Sequence, residues 1–348
     1  GYNSILQRWF NSFGVISGPY SGYGMTYVTP ARRYHPWRSL LHNGHWAFYY
    51  ILWNAGTYHQ GILSPDQTVH GGYNDLAKDE FADIKGGIGK LFIESSFSSD
   101  GICFPYSYAS ILASQALGIS RTGNTYSQKT LVENLGYQHR FLSYQQIKDG
   151  ELTKKGFKVL ILPGVICLSS EEINAIREFV RNGGTVIADY LPGIRDEHGK
   201  LYGKKGPLDE VFGIDRTSAE FVNKKTRISF LKNSFFEEKS IEMSMAEGGL
   251  KTVSGKNMAV FEDGTPAIIV NQYGKGKGIY LNLDISDYAG MKGRGVAGEV
   301  IEEEKGKADY VAAVQDIFEK ILASAGLKKR IEILENGKPV NAGERFYY

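Results

Sequence analysis

The chain has 348 residues, room for two or three domains, with 42% hydrophobic and 22% charged residues, the balance of a folded globular protein. A net charge of +2 gives no electrostatic footing on nucleic acid or an anionic membrane, and no apolar run approaches the roughly 20 residues a spanning helix needs, so neither is expected as a partner. Cys103 and Cys167 form neither a zinc pattern nor a disulfide framework, and Gly1-Tyr2-Asn3 does not open a secretory signal, which leaves the compartment open.

In chain order, Phe13 to Ser17 reads as a short strand, followed by a Gly/Tyr-rich loop, GPYSGYG (18–24). Pro30 opens a helix to about Leu41, which Pro36 should shorten or kink. Residues 45–53 form an aromatic strand carrying Trp46, Tyr49, Tyr50 and Trp53. After a loop, Phe81, Ile84, Ile88, Leu91 and Phe92 repeat at helical spacing, weakened by Gly86-Gly87.

A second block begins near Gly101. Ile102 to Tyr106 is a candidate strand, Ser110 to Leu117 and Tyr126 to Leu135 are candidate helices, and His139 to Leu142 is another strand. KVLIL (158–162) is a continuous apolar run of the buried parallel type. Ser169-Ser170-Glu171-Glu172 supplies a cap and early acids for a helix with Ile173, Ile176, Phe179 and Val180 on one stripe. Gly183-Gly184 ends it, and TVIA (185–188) is the next strand, so this β–α–β unit predicts a doubly wound α/β domain with a parallel sheet. Residues 216–262 alternate polar and apolar and read as a β-rich insertion or cover. Ala267 to Val270 and Gly278 to Leu283, joined by YGKGKG, form a hairpin. Lys307 to Ala325 is a long closing helix, after which RIEILENGKPV turns at Asn336-Gly337.

These residues, in this order, resemble the back half of the family-42 glycoside hydrolases, the β-galactosidase-like enzymes. LLHNGHWAFYYILWN looks like the last helix–strand step of their (β/α)8 barrel, while KVLILPG, the SSEE-led helix, NGGTVIADY and GKGKGIYLNLDIS match their middle domain. The resemblance implies a partial barrel segment over 1–100 and, over 101–326, a flavodoxin-like, class I glutamine-amidotransferase-like domain that mediates trimer formation, with the β-rich insertion at about 216–262. It also implies the start of a C-terminal β-sandwich over 327–348. The chain is therefore expected to be part of a longer polypeptide.

In this family two glutamates perform retaining hydrolysis, one as acid/base and one as nucleophile. The nucleophile is expected near the end of the second-to-last barrel strand, placed here around Phe13 to Tyr23, but FGVISGPYSGY contains no Asp or Glu. One or two strands also cannot close a barrel that takes about 250 residues. The catalytic residues are thus unassigned and expected outside this chain, which by itself is expected to be inactive.

Barrel enzymes place binding residues at the C-terminal ends of strands, which makes Trp53 a candidate to stack on a galactose-like ring; packing against the neighbouring helix explains it equally. Tyr50 and Trp46 differ from Trp53 in strand phase. Asn54 and His59 are candidates for sugar hydroxyls or ordinary loop polarity, and Tyr20 for a substrate loop or a surface turn. His42 and His45 lack a third ligand at metal spacing, so no metal is expected, and no cofactor. An amidotransferase nucleophile would follow TVIA, where Asp189 and Tyr190 stand instead. Cys103 and Cys167 read as buried thiols, Asp284 and Asp287 as loop caps, GKGKG as a hairpin turn rather than a phosphate loop, and Glu302-Glu303-Glu304 as a solvated face.

The leading reading is part of a β-galactosidase-like glycoside hydrolase that supplies one wall of a galactoside site and a homo-oligomer, a trimer by the resemblance. The alternatives are a non-catalytic carbohydrate-binding or assembly module, and an amidotransferase-like hydrolase.

Overall fold

The computed structural model describes residues 8–18, 20–21, 30–42, 44–49, 63, 66–69, 76–119, 121–232, 234–237, 240–291, 305–330 and 334–339. The chain divides into two compact units, one built on residues 1–98 and the other on 99–293 and 302–344.

In the first unit a short strand, Tyr20–Ser21, leads through the helix Pro30–Leu41 to the strand Phe48–Tyr49, and the strands pair in parallel with Tyr20 opposite Phe48. The strand expected at Phe13 to Ser17 is instead a helix end. A helical turn over 8–12 stops at Gly14 (φ 75°), and Val15 N–H bonds back to Phe10 O at 2.8 Å, which takes the backbone a strand would need. The helix runs through Pro36 to Leu41, so that proline does not shorten it. Of the aromatic strand expected over 45–53, Phe48 and Tyr49 are extended, and 50–62 lie outside the described residues. The run over 76–94 is helical with wide turns at Leu76–Glu80 and Ile84–Ile88, and in the second of these Gly87 (φ 140°) leaves the helical region and breaks the regular ladder.

The second unit begins with β1 (Ile102–Tyr106), α1 (Tyr108–Ala116), α2 (Arg121–Asn134) and β2 (His139–Ser143). Two short helices, α3 (Tyr144–Lys148) and α4 (Glu151–Lys154), lead to β3 (Val159–Leu162), α5 (Ser170–Arg181) and β4 (Thr185–Ala188). Then come α6 (Asp209–Phe212), β5 (Ile214–Arg216), β6 (Lys224–Phe230), β7 (Ser240–Met245) and β8 (Leu250–Thr252). β9 (Lys256–Phe261), β10 (Pro266–Tyr273), β11 (Gly276–Leu281) and β12 (Leu283–Asp284) follow. α7 (Tyr288–Met291), α8 (Lys305–Ser324) and the hairpin β13 (Leu334–Glu335) with β14 (Lys338–Pro339) complete the unit.

One ten-stranded sheet organises it, in the order β12-β7-β6-β9-β10-β11-β4-β3-β1-β2. β11, β4, β3, β1 and β2 are parallel to one another, and every pairing from β11 outward through β10 to β12 is antiparallel. The parallel sheet expected from the β–α–β unit is thus one half of a mixed sheet, and the β-rich stretch expected at about 216–262 extends it as an antiparallel arm over residues 224–261. Alternation along a strand reports a half-buried surface but not which edge it joins.

The parallel half is buried on both faces: β3 and β4 have no exposed residue, as KVLIL and TVIA anticipate. α5 starts with a capping box in which Ser169 Oγ accepts from Glu172 N–H and Glu172 Oε2 accepts from Ser169 N–H at 2.8 Å. Its Ile173, Ile176, Phe179 and Val180 are buried in the main core cluster. Where α5 ends, β11 passes so close that a Cβ on Gly276 would lie 2.1 Å from Gly184 O and 2.2 Å from Val180 O. Both atoms are backbone and cannot turn aside. Gly276→Ala is expected to cost about 3 kcal/mol, at the upper end for overpacking, read as a lower urea midpoint at unchanged slope.

Candidate functional site

Of the aromatic candidates, the described residues include Trp46 and the backbone of Tyr20; Tyr50, Trp53, Asn54 and His59 lie outside them. Trp46 is 48% exposed, its carbonyl accepts from Ser39 Oγ at 2.8 Å, and it packs against Gly18, where a Cβ would meet Trp46 O at 2.0 Å. The pairing of Tyr20 with Phe48 thus brings the Tyr20 strand beside the segment that carries Trp46, at one end of a parallel strand pair. His42 is engaged: its Nδ1 accepts from Arg8 Nε at 3.2 Å and its carbonyl from Asn11 Nδ2 at 2.8 Å. Among the described residues no three His, Cys, Asp or Glu side chains group as metal ligands.

In the second unit, polar groups converge where the parallel strands end. Asp189 follows β4 directly and is 1% exposed. Gly164 N–H, after β3, donates to both its oxygens at 2.8 and 2.9 Å, and Tyr190 N–H donates at 2.6 Å. From α2, Gln128 Nε2 donates at 2.9 Å and Asn124 Nδ2 also donates. Asn124 and Gln128 reach the same carboxyl because residues four apart share a helix face. Burial pushes this carboxyl up to about 7; the Gly164, Tyr190 and Asn124 bonds oppose that rise and the charge of Asp284 adds to it.

Beside it lies a buried ionic network. Arg216, at the end of β5, has a fully buried side chain 3.0 Å from Asp209 Oδ1 and 3.3 Å from Glu247 Oε2. The Tyr280 hydroxyl donates to Glu247 Oε1, and Arg216 Nη2 donates to that hydroxyl at 3.3 Å. Glu247 Oε1 also accepts from Leu191 N–H at 2.8 Å. Leu191 has φ 47°, a left-handed conformation that a leucine adopts only when its surroundings impose it. The network therefore pins the turn after Asp189. Burial raises Asp209 to about 6 in spite of Arg216, and raises the Tyr280 phenol well above its ordinary value.

Asn124, Gln128, Arg216, Asp209, Glu247 and Tyr280 escape a reading of the sequence for chemistry. The one available signal is the i, i+4 amide pair on α2. Asp189 stands where the amidotransferase nucleophile would, but as a sealed carboxyl surrounded by donors it is not placed to attack a substrate. Cys103 and Cys167 are both buried. Cys103 Sγ donates to Val159 O at 3.6 Å and burial pushes its thiol up, away from the reactive thiolate. Cys167 has its carbonyl held by Ser107 Oγ at 3.2 Å and its N–H by Ser110 Oγ at 2.9 Å. Asp284 caps its loop by accepting from Ser286 N–H at 2.9 Å, and Gly274-Lys275 form the β10–β11 turn. No helix among the described residues is long and apolar enough to cross a membrane.

Residues 148–325, just over half of the chain, match the family described as the β-galactosidase trimerisation domain. The chain is 31% identical over 138 residues to β-galactosidase BgaB of Geobacillus sp. (strain Y412MC61), an alignment covering 38% of this chain and 20% of BgaB. In fold it is similar to the β-galactosidase from Rahnella sp. R3, with TM-score 0.72 and 14% identity over 97% of this chain and 49% of that one. It is similar too to the β-galactosidase from Bacillus circulans sp. alkalophilus, with TM-score 0.71 and 13% identity over 96% of this chain and 49% of that one. The chain thus spans about half the length of these solved relatives and a smaller part of BgaB. With the parallel half of its sheet from β3 onward and the whole antiparallel arm inside the matched region, the chain belongs to the family of the β-galactosidase trimerisation domain.

Proposed function

We propose that this chain is part of a β-galactosidase-like retaining glycoside hydrolase, in which the first unit supplies one wall of a galactoside site and the second is an oligomerisation domain. The family match over 148–325 carries the reading. The parallel strand–helix–strand step from Tyr20 to Tyr49 supports a fragment of a (β/α)8 barrel in the first unit. The order β2-β1-β3-β4-β11 supports a flavodoxin-like, amidotransferase-like core, for which 2-1-3-4-5 is the expected order. The hairpin β13–β14 is the start of a further β domain. Trp53, Tyr50, Trp46, Asn54, His59 and Tyr20 line the sugar wall, and the two catalytic glutamates lie outside this chain. The oligomer is a trimer of identical chains.

The test is hydrolysis of nitrophenyl glycosides by this chain and by a longer product of the same gene. Activity on the galactoside in the longer form alone is the expected result, and Trp53→Ala in that form should raise KM by about tenfold through lost ring stacking. Turnover by this chain by itself would overturn the placement of the glutamates. The absence of any Asp or Glu from Phe13 to Tyr23 favours one second reading, a non-catalytic carbohydrate-binding or assembly module, which predicts no turnover in either form.

A further inference from the structure

Asparagine followed by glycine occurs three times, at 43–44, 182–183 and 336–337. The pair carries a latent reaction. The glycine nitrogen can attack the asparagine side-chain carbon, because no Cβ stands in the way of the five-membered ring. Two things decide whether it does so: what the glycine N–H is bonded to, and how firmly the local backbone is held. A donated proton and a fixed turn both withhold the nitrogen. The fold treats the three pairs differently.

Two are closed. Gly44 N–H donates to Ser39 O at 2.7 Å. Gly183 N–H donates to Val180 O and Gly184 N–H to Phe179 O, both at 3.0 Å, which ties the Asn182 turn to the end of α5. The β10–β11 turn locks it from outside: Lys275 N–H donates to Arg181 O at 2.9 Å, and a Cβ on Gly274 would lie 2.7 Å from Arg181 Cα. The third pair is open. Asn336 (φ 52°) and Gly337 (φ 76°) form the two-residue loop between β13 and β14, a conformation that selects Asn-Gly. Those strands have two residues each, with Leu334 opposite Pro339 and Glu335 opposite Lys338. Leu334 is 55% exposed, Asn336 is exposed, and Gly337 N–H finds no acceptor among the described residues. Ring closure requires Asn336 to leave the turn, and two residue pairs hold it there. A hairpin this short is marginal by itself and opens far more readily than the end of a core helix.

We propose that Asn336 is a site of spontaneous covalent modification, converting through a cyclic imide to aspartate and isoaspartate while Asn43 and Asn182 persist. Hydroxide takes the Gly337 N–H proton, and the nitrogen bonds to Asn336 Cγ. The Cγ–Nδ2 bond then breaks, and the amide leaves as ammonia with a proton from water. Water opens the imide at either carbonyl. One opening restores the backbone with a carboxylate at 336, and the other runs the chain through the side-chain carbon. No group is oxidised or reduced, and the net change is water in and ammonia out. Either product adds a negative charge. Isoaspartate also lengthens a loop whose length sets the hairpin register, so it unpairs β13 from β14.

The experiment holds the whole chain at mildly alkaline pH, folded and in denaturing urea. Peptide mass spectrometry then follows the Asn, Asp and isoaspartyl forms of the three peptides over time. In the folded chain the 336–337 peptide should convert at least about tenfold faster than the other two, giving both products. In urea the three rates should converge to within about threefold, because the reacting pair is the same and the fold no longer separates them. Gly337→Ala should suppress conversion at 336 in both conditions and, at an exposed loop, keep the Tm of the unchanged protein. A smaller ratio in the folded chain would overturn the proposal, as would aspartate formed without isoaspartate. A lead for 336 that persists in urea would overturn it too, since neighbouring residues rather than the fold would then set the rate.

Discussion

Replacing Arg216 by Met is expected to destabilise the second unit by about 3–5 kcal/mol, the usual consequence of removing one partner from a buried ion pair. Arg216 is the cation between Asp209 at 3.0 Å and Glu247 at 3.3 Å, and none of the three side chains is more than 8% exposed. Without it, two carboxylates would remain with no compensating charge in a place water does not reach. For a unit of this size the loss should appear as a fall in Tm on the order of 10 °C. Screening is weak for a pair out of solvent, so raising the salt should leave the loss nearly unchanged. The double variant Arg216→Met, Glu247→Gln should recover part of it, because the amide removes one orphaned charge while still accepting from Leu191 N–H. A loss below about 1 kcal/mol, the scale of an exposed pair, would show that water reaches the network.

The same cluster marks the limit of what the sequence discloses. KVLIL, the Ser169 capping box, TVIA and the β10–β11 hairpin are legible because each is decided by residues near one another in the chain. The closing helix is legible for the same reason, with Val311, Val314, Ile317, Phe318 and Ile321 all buried. The antiparallel arm is not, since β6 joins β9 and β7 joins β12 across dozens of intervening residues. Nor are the buried polar groups. Lys129 is 2% exposed, with Glu133 Oε2 at 2.6 Å, and Asn124, Ser127 and Gln128 on the same helix are as deeply sealed. Composition marks RTGNTYSQKTLVEN as a surface helix, whereas its polar face turns inward to serve Asp189 and the Ser286 carbonyl. Arg216, in the tripeptide IDR, reads as a solvated cation until its two carboxylates arrive from Asp209 and Glu247. For the candidate sugar wall, the sequence names Trp46 and Tyr20 singly and does not pair them; the strand pairing sets the Tyr20 strand beside the segment that carries Trp46.

Asp189 should make the stability of the chain fall as pH rises through neutrality. Its carboxyl is raised from 3.8 to about 7, chiefly by burial. The folded state thus holds this proton more tightly than the unfolded chain does. The resulting stabilisation is complete below about pH 4, where both states are protonated, and it is lost as pH climbs through the folded value of about 7. At 1.36 kcal/mol per pH unit the full swing is about 4 kcal/mol. Asp189→Asn removes the titration. Its oxygen can take the Gly164 and Tyr190 N–H bonds, while the side-chain amides of Asn124 and Gln128 can turn to accept from its NH₂. Asp189→Ala lacks that option and leaves two backbone donors buried and unsatisfied, at about 1–3 kcal/mol each. The measurement is the urea midpoint of the unchanged protein and of Asp189→Asn at several pH values between 4.5 and 8. Asp209, raised to about 6, titrates in both proteins and cancels in the difference. The unchanged protein should lose ground to the Asn variant steadily from pH 4.5 to about 7 and then level off, because above the folded value both states are ionised. A difference that stays constant across that range would mean that Asp189 is ionised throughout, held so by its donors, and that burial does not govern its proton.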